Sequence, residues 1–238
     1  MANPFHGAPI LYSRETGSTM DDARVAWARN PTSGLVVATD YQRSGRGRRE
    51  DRRWVSAPGE SLMFTLTLAR SKSMSPDRTA RLPIDVGCGV AALLRSLGLA
   101  ARVKWPNDVL VQSRKLAGIL VETVAGGFLI GLGLNCNQRR FASPLEKTAT
   151  SMRLESGREF DPMSLLPLVL AEIRRYTFGQ RQSHVEPMLW GIGLDVAFRT
   201  GQSTIFGSIR GVDATGALLI RTASGTERMI SGEIVRIS

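Results

Sequence analysis

A lysine and a carboxylate lie close together between two apolar runs in residues 102–122, which read RVKWPNDVLVQSRKLAGILVE. Pro106 has no N–H and fixes its own φ, so a strand is expected to end at Trp105, with Asp108 in the turn that follows. A hairpin-sized connection then brings Lys115 near Asp108. A lysine beside a carboxylate suits chemistry on anionic phosphate groups, and the alternative is a surface hairpin with solvated charges.

A second candidate is a loop rich in arginine and glycine. Six arginines stand between positions 43 and 53 against Glu50 and Asp51, so six minus two leaves a local charge of +4. Gly45 and Gly47 allow close backbone approach to a ligand. Arg46 and Arg48 can form forked hydrogen bonds with phosphate or carboxylate oxygens. Neither the Walker nor the dinucleotide spacing is present, and such a loop alone is more typical of a solvated connection or a nucleic-acid-binding arm.

Polar residues stand at the ends of two predicted elements. Ser18 or Thr19 can cap a helix predicted over residues 20–29, whose first turn carries two aspartates. Asn135 ends an apolar strand predicted over 128–134, in which glycines permit close backbone approach. From the residues alone, the cap and the turn are the simpler interpretations.

The periodicity of the apolar residues predicts the helices and strands that must position these candidate residues. Strands are predicted at 10–14, 34–39, 54–56 and 62–69, and helices at 81–97 and 162–178. After Trp190, glycines alternate with short strands, which indicates a small barrel that should pack against the main domain. The predicted boundaries are 1–188 for the main domain and 189–238 for the barrel.

Composition narrows the class of protein. The 238 residues, 42% of them hydrophobic, suit one substantial globular domain with a small appendage. No apolar run approaches the roughly 18–20 residues of a membrane helix and no leader is recognised, so we expect a cytoplasmic protein without membrane association. Cys88 and Cys136 are expected to pack as apolar groups, and His6 and His184 are too far apart in sequence to favour a zinc site. The net charge of +10 fits nucleic acid, an anionic ligand or an acidic partner.

The order of these motifs resembles that of biotin protein ligases, enzymes that adenylate biotin and attach it to a carrier lysine. KWPND followed by RKLAGILVE is similar to the family signature, and the blocks at 45–49 and 131–135 fall in the family's order. Two departures stand out. Met20 replaces an asparagine found in many members, and the arginine loop is one residue longer before Trp54, so either Arg52 or Arg53 takes the place of the family's second arginine.

The resemblance implies an α+β fold: a mixed sheet with helices on one face, like the catalytic core of class II aminoacyl-tRNA synthetases, plus a C-terminal SH3-like domain. It implies that biotin is activated with ATP to biotinyl-5'-AMP and transferred to a carrier lysine. The implied catalytic residues are Lys115, Arg48 and Asp108. The implied biotin-binding residues are Ser18, Thr19, Gln42, Gly45, Arg46, Arg48 and Lys115. The implied adenylate-binding residues are Arg48, Trp54, Asn107, Asp108, Lys115 and Asn135, with Asp108 also a candidate for Mg²⁺.

The implied partner is a biotin carboxyl carrier protein or domain, of acetyl-CoA carboxylase or another biotin-dependent carboxylase. The enzyme is expected to be a monomer or weak homodimer. Because Ser18 arrives almost at once, no room is expected for a helix-turn-helix domain, and sequence-specific DNA binding is not expected. The arginine loop is expected to be mobile without ligand, since its like charges repel and it lacks an apolar anchor, and to become ordered when the adenylate forms.

Two alternatives remain at this stage. A lipoate ligase would use the same chemistry, but the chain lacks the triple-glycine loop of that family and carries KWPND in place of its lysine motif. A nucleic-acid-binding module would account for the net charge and the arginine loop, and would predict salt-sensitive binding to DNA or RNA. It would leave the 104–122 block without a purpose.

Overall fold

In a computed structural model of the chain, residues 3–236 are described except 6, 50, 71–75 and 180–184. Both histidines and Glu50 therefore lie outside the described residues. The elements of the first part are β1 (Ile10–Thr16), α1 (Thr19–Arg29), β2 (Val36–Gln42), β3 (Ser61–Ala69), α2 (Pro76–Ser96), β4 (Arg102–Lys104), β5 (Asp108–Val111), β6 (Arg114–Val124), β7 (Gly127–Asn135), α3 (Met152–Ser156) and α4 (Pro162–Phe178). Those that follow are β8 (Asp195–Thr200), β9 (Ser203–Val212), β10 (Leu218–Thr222), β11 (Gly225–Met229) and β12 (Glu233–Arg236).

The first seven strands form one mixed sheet in the order β1-β2-β3-β7-β6-β5-β4. β1 runs parallel to β2, and the remaining neighbours are antiparallel. The long central strands β3 and β7 pair along nine residues. The mixed sheet predicted for the main domain is confirmed.

Helices cover both faces of this sheet, so the expectation of helices on one face is wrong. Leu62, Phe64 and Leu66 on β3 belong to the large apolar cluster that includes residues of α2 and α4. The alternate residue Thr65 faces α1, where its hydroxyl contacts Thr19. Side chains alternate along β3 and are buried on both of its faces, so the strand lies between two layers of packed side chains.

The largest differences from the predicted elements lie at residues 54–56 and at the start of α2. Residues 54–56 form no strand, because β3 is already paired on both edges with β2 and β7 and leaves no ladder to join. Val55 is accordingly 76% exposed. Helix α2 begins at Pro76, five residues before the predicted start, and continues through Pro83. The buried side chains on either side of this proline, Leu82 and Ile84, offset the one backbone donor that it lacks.

The last five strands form an antiparallel sheet in the order β11-β10-β9-β8-β12. It packs against the main sheet through Trp105, whose indole Nε1 donates a buried hydrogen bond of 2.9 Å to the carbonyl of Gly216. The Trp105 ring also lies 5.6 Å from the ring of Phe198 on β8. The expectation that the small sheet leans on the main one is met by this contact.

Neither cysteine takes part in a disulfide, and both are buried. Burial raises the pKa of the Cys136 thiol to about 12 and also raises that of Cys88. Both thiols are therefore protonated at neutral pH and pack as small apolar groups. Across the part of the chain that the structure describes, no helix has both the length and the hydrophobicity needed to cross a membrane.

The contact between the two sheets generates a stability prediction. Trp105→Phe keeps a ring in place but leaves the Gly216 carbonyl without its donor, so we expect the free energy of unfolding to fall by about 1–3 kcal/mol. Denaturant titration followed by circular dichroism measures this. Trp190→Phe is the matched control, because the Nε1 of Trp190 makes only an exposed contact of 3.4 Å with Ser113. Equal unfolding free energies for the two variants would contradict the role given to Trp105.

Candidate active site

A cleft opens on the face of the sheet that carries α1, and encloses about 490 Å³ of space, part of it open to solvent. Residues from α1, the loop after β2, the β4–β5 turn, β6 and β7 converge on it. Its lining is formed by Ser18, Thr19, Met20, Gln42, Arg46, Gly47, Arg48, Trp54, Phe64, Asn107, Lys115, Gly118, Ile119, Leu120, Gly131, Leu132 and Gly133. The cleft is thus a mostly apolar concavity with a few polar and cationic groups, which is typical of a small-molecule site.

The floor of the cleft is bare backbone. Gly118 on β6 and Gly131 and Gly133 on β7 point toward the cleft, where other strand residues would carry a side chain. A Cβ at Gly131 would lie 2.9 Å from the Sδ of Met20. A close approach at the glycines of β7 is therefore observed, and it is made by side chains of the protein itself.

Trp54 is placed by this glycine floor. A Cβ at Gly133 would lie 2.4 Å from Cε2 of the indole, and one at Gly118 would lie 3.3 Å from its Cζ3. The indole Nε1 is shielded from solvent and has no hydrogen-bond partner in the protein. The ring thus forms a flat apolar wall of the cleft on which an aromatic base could stack.

Ser18 and Thr19 lie at the start of α1, but neither hydroxyl caps it. Ser18 occupies the N-cap position without a side-chain cap bond, so the capping interpretation is wrong. Its Oγ is buried in the cleft and has no partner. The backbone N–H of Thr19 donates to Oε1 of Gln42 at 2.9 Å. A buried hydroxyl without a partner costs free energy, which a polar ligand would recover.

Lys115 and Asp108 are brought together as the hairpin predicted. Lys115 Nζ lies 2.6 Å from Asp108 Oδ1, with both side chains partly buried. The backbone of Lys115 is held on its other side by residues 148 and 150, with N–H···O distances of 2.7 and 2.8 Å. The side chain of Asn107 bonds to the carbonyl of Ile119, which fixes the neighbouring turn. The lysine is thus presented to the cleft from a rigid base.

The arginine loop folds back on itself. Arg46 pairs with Arg53 in an isolated antiparallel bridge, and Trp54 N donates to the carbonyl of Gly45. A Cβ on Gly45 would lie 2.5 Å from the Trp54 carbonyl oxygen. The glycines therefore allow the two arms of the loop to approach each other, and the predicted approach to a ligand remains a prediction.

Four of the six arginines of this loop lie near a carboxylate, which offsets part of their mutual repulsion, and the expected mobility of the loop without ligand remains a prediction. Arg46 lies between Asp21 of α1, at 2.5 Å, and Glu122 of β6, at 3.5 Å. The remaining contacts are Arg43 with Glu15 at 2.9 Å, Arg49 with Asp51 at 2.9 Å and with Glu233 at 3.8 Å, Arg52 with Asp51 at 3.9 Å, and Arg48 with the Gly232 carbonyl at 3.1 Å. A hydrogen bond from Arg49 lowers the pKa of the Asp51 carboxyl. Because these ion pairs are mostly exposed and screened by solvent, each contributes little to the stability of the loop.

Three predicted site residues do not line the cleft. Asn135 is buried and its Nδ2 donates to the carbonyl of Thr150 at 2.9 Å, while Gly45 and Asp108 lie behind the lining residues. Sequence reasoning also missed lining residues and partners: Gly118 and Leu120 gave no signal, and the partners of Arg46 lie far from it in sequence. The apolar run that contains Gly118 and Leu120 predicted a strand, but it did not predict which of its residues face the cleft.

The site offers little for a metal ion. No group of three or more acidic, cysteine or histidine side chains suited to a metal occurs among the residues in the described ranges. Asp108 is a single carboxylate next to a lysine. Magnesium is often held by one or two protein carboxylates together with substrate phosphates, so Asp108 fits such a shared site but not a metal site of its own.

Comparison with protein families identifies two regions of similarity. Residues 14–138 match the model of the biotin/lipoate A/B protein ligase family, and residues 191–236 match the biotin protein ligase C terminal domain. The bifunctional ligase/repressor BirA of Bacillus spizizenii is 30% identical over 244 residues, covering 96% of this chain and 74% of that protein. The biotin--[acetyl-CoA-carboxylase] ligase of Paracoccus denitrificans is 30% identical over 223 residues, covering 85% of this chain and 90% of that protein.

Solved structures agree with these relatives. The biotin protein ligase from Aquifex aeolicus in complex with biotin and ATP superposes with a TM-score of 0.81 at 27% identity, covering 95% of this chain and 97% of that one. The ligase from Leishmania major in complex with biotinyl-5-AMP has a TM-score of 0.66 at 20% identity and shows likeness of fold.

The glycine floor leads to a prediction that can be tested without a ligand. Gly133→Ala places a methyl group where the indole of Trp54 lies, so the ring must leave the floor, and acrylamide quenching of tryptophan fluorescence should increase. Gly17→Ala is the control, since a Cβ there meets no atom within 4 Å. In a Trp54→Phe background the effect of Gly133→Ala should vanish. Unchanged quenching would show that the ring does not depend on Gly133.

Proposed function

The chain belongs to the biotin/lipoate A/B protein ligase family and is an ATP-dependent biotin–protein ligase; on this premise we propose how the residues of its cleft carry out the two steps. In the first step the carboxylate of biotin attacks the α-phosphate of ATP, which forms biotinyl-5'-AMP and releases pyrophosphate. In the second, the amine of a carrier lysine attacks the mixed anhydride and releases AMP. Neither step requires a covalent bond to the enzyme.

Lys115 is the central cation of this scheme. The first step brings a carboxylate against a phosphate, and negative charge increases on the oxygens between them, so a cation fixed before the reaction stabilises the transition state. Lys115 lies in the lining of the cleft on a backbone held from both sides. This placement is the observation that carries the proposal. Its ion pair with Asp108 keeps the ammonium group in position until the substrates arrive.

Arg48 is the second cation. In this structure its guanidinium makes a single exposed bond to a backbone carbonyl, that of Gly232. A phosphate offers a stronger, charge-assisted and bidentate partner, so Arg48 can leave the carbonyl when the adenylate forms. Arg48 then neutralises phosphate oxygens from the loop side while Lys115 does so from the sheet side.

Biotin would occupy the end of the cleft near α1. Ser18, with its unpartnered hydroxyl, Thr19 and Gln42 supply polar groups for the ring system, and Met20 supplies apolar surface. Gly45, Arg46, Arg48 and Lys115 complete the proposed biotin site. Arg46 is already bound to two carboxylates, so its proposed contact with biotin is made by the backbone or after exchange of these partners.

The adenylate would extend toward the strand ends. Trp54 provides a face for stacking of the adenine, and the proposed polar neighbours are Asn107, Asp108 and Asn135. Asn135 would act through the segment at Thr150, to which it bonds. Magnesium, which supplies charge neutralisation of the polyphosphate, would be held by Asp108 together with substrate phosphate oxygens. After adenylation, Asp108 would orient the incoming amine of the carrier.

We further propose the setting in which this enzyme works. Its acceptor is a biotin carboxyl carrier protein or domain of acetyl-CoA carboxylase or another biotin-dependent carboxylase, and its compartment is the cytoplasm. It acts as a monomer or weak homodimer without sequence-specific DNA binding. The catalytic unit comprises residues 1–188 and the C-terminal SH3-like unit residues 189–238.

The role of Lys115 is tested by ATP–pyrophosphate exchange. Exchange should require biotin and a divalent cation, should not be supported by lipoate, and should fall roughly 100- to 1000-fold in Lys115→Ala, because one preorganised charge at a developing oxyanion is lost. Lys104→Ala is the control, since Lys104 lies over the ring of Trp190 and outside the cleft lining. Exchange within tenfold of the unsubstituted enzyme would remove Lys115 from its assigned role.

Limited proteolysis tests the arginine loop. Exposed ion pairs hold it weakly, so trypsin should cut between Arg43 and Arg53 in the free protein, and a non-hydrolysable biotinyl-AMP mimic should slow the cut by closing the loop. Arg48→Ala, which keeps the other cleavage sites, should be protected less. If cleavage is equally fast with and without saturating mimic, the loop does not close and the binding roles of Arg46 and Arg48 are withdrawn.

A further inference from the structure

A single backbone N–H fixes the orientation of the polar groups at the α1 end of the cleft. The N–H of Thr19 donates to Oε1 of Gln42 at 2.9 Å. Because a backbone N–H can only donate, Gln42 must turn its carbonyl oxygen to this side and its NH₂ group to the other. The orientation of this amide is therefore determined by the fold and not by a ligand.

The same bond sets the direction of the hydroxyls behind it. The Oγ1 of Thr19 lies 3.1 Å from the same Oε1, so the Thr19 hydroxyl must donate to it. The Oγ1 of Thr65 lies 2.9 Å from Thr19 Oγ1, and its proton is the one available for that contact. The hydrogen bonds thus run from Thr65 to Thr19 to Gln42. Thr65 is fully buried in β3 and does not line the cleft.

This chain leaves a defined set of hydrogen-bonding groups facing the cleft. One N–H of Gln42 points to the thioether of Met63 at 3.4 Å, a weak acceptor, which leaves the amide with a donor for a ligand. Thr19 Oγ1 has accepted one bond and donated another, and keeps a lone pair that can accept. Ser18 adds a buried hydroxyl without a partner. A donor beside an acceptor is the complement of a cyclic urea, in which a C=O adjoins an N–H.

We propose that Thr65 is a positioning residue: it holds the Thr19 hydroxyl in the rotamer that donates to Gln42, whose orientation the Thr19 N–H sets, and it thereby helps the cleft select a cyclic urea, the polar group of biotin. The proposal rests on the proposed function and assigns a role to a residue that does not touch the substrate. Because Thr65 donates to one lone pair of the Thr19 hydroxyl, that hydroxyl cannot rotate to point its own proton toward Thr65. Thr19 then presents a lone pair, not a proton, to the ligand.

Thr67 provides a comparison between this role and that of a buried hydroxyl that only completes its own hydrogen bonds. Thr67 lies two residues further along β3, is equally buried, and by strand alternation shares the face of Thr65. Its hydroxyl donates to the backbone carbonyl of Thr32 at 2.6 Å and contacts that of Leu35 at 3.3 Å. Thr67 has the same chemistry in the same strand but no bond to Thr19, Gln42 or Ser18 in the described residues.

The first experiment compares Thr65→Val, Thr65→Ser and Thr67→Val by calorimetric titration with biotin, and by the KM values for biotin and ATP. In Thr65→Val, the Kd and KM for biotin should rise roughly three- to tenfold, as loss of one neutral hydrogen bond predicts, while the KM for ATP stays within twofold. Thr65→Ser should restore tight binding, and Thr67→Val should lower only the unfolding midpoint. Biotin affinity within twofold of the parent in Thr65→Val, or an equal loss in Thr67→Val, would overturn the proposal.

The second experiment reverses the polarity directly. Gln42→Glu keeps an oxygen toward Thr19 but replaces the donor facing the ligand by an acceptor. The probe is 2-iminobiotin in its protonated form, whose guanidinium group offers donors where the urea has its carbonyl. The ratio of affinities for biotin and protonated 2-iminobiotin should shift toward 2-iminobiotin by at least about tenfold, and an unchanged ratio would overturn the proposed polarity. Absence of biotin binding in the unsubstituted chain would instead overturn the proposed function itself.

Discussion

The packing of an indole ring on bare backbone is the contact on which the cleft depends. Trp54 lies on Gly133 and Gly118; a side chain at Gly133 would displace the ring, and one at Gly118 would crowd it. Because Trp54 closes the arginine loop and Gln42 opens it, both ends of the loop are attached to the sheet while its arginines lie between them. The same floor admits Met20 at Gly131. A strand pair with glycine at three positions on one face therefore shapes the wall, the loop and the depth of the pocket.

Charge is arranged in two tiers around this floor. Arg46 is paired with carboxylates on α1 and β6, whereas Arg48 makes only a backbone contact. Lys115 is paired with Asp108 at the opposite wall. Arg46 and Lys115 are thus held in defined positions before an anionic substrate enters, whereas Arg48 would move to meet it.

Local signals in the sequence predicted the elements whose partners are close in the chain. The Lys115–Asp108 hairpin followed from turn chemistry, and α4 spans the predicted 162–178 because Asp161 caps one end and Gly179 follows the other. What could not be predicted depended on residues far apart. The predicted strand at 54–56 does not form because both edges of β3 are already paired. The contacts of Arg46 with Asp21 and Glu122, and that of Thr65 with Thr19, join residues far apart in the chain and produce no periodic pattern in the sequence.

The two faces of the sheet carry separate apolar clusters of unequal size. The small one, on the face of the cleft, comprises Met20, Ala23, Trp27, Val37 and Leu129, whereas the large one lies across the sheet and extends to the C-terminal strands. Residues without shared neighbours contribute nearly independently to stability. Substitutions within the small cluster should therefore be tolerated while the larger cluster maintains the fold. That separation makes the α1 face evolvable: it is where drift or laboratory selection would retune the enzyme for altered acyl substrates.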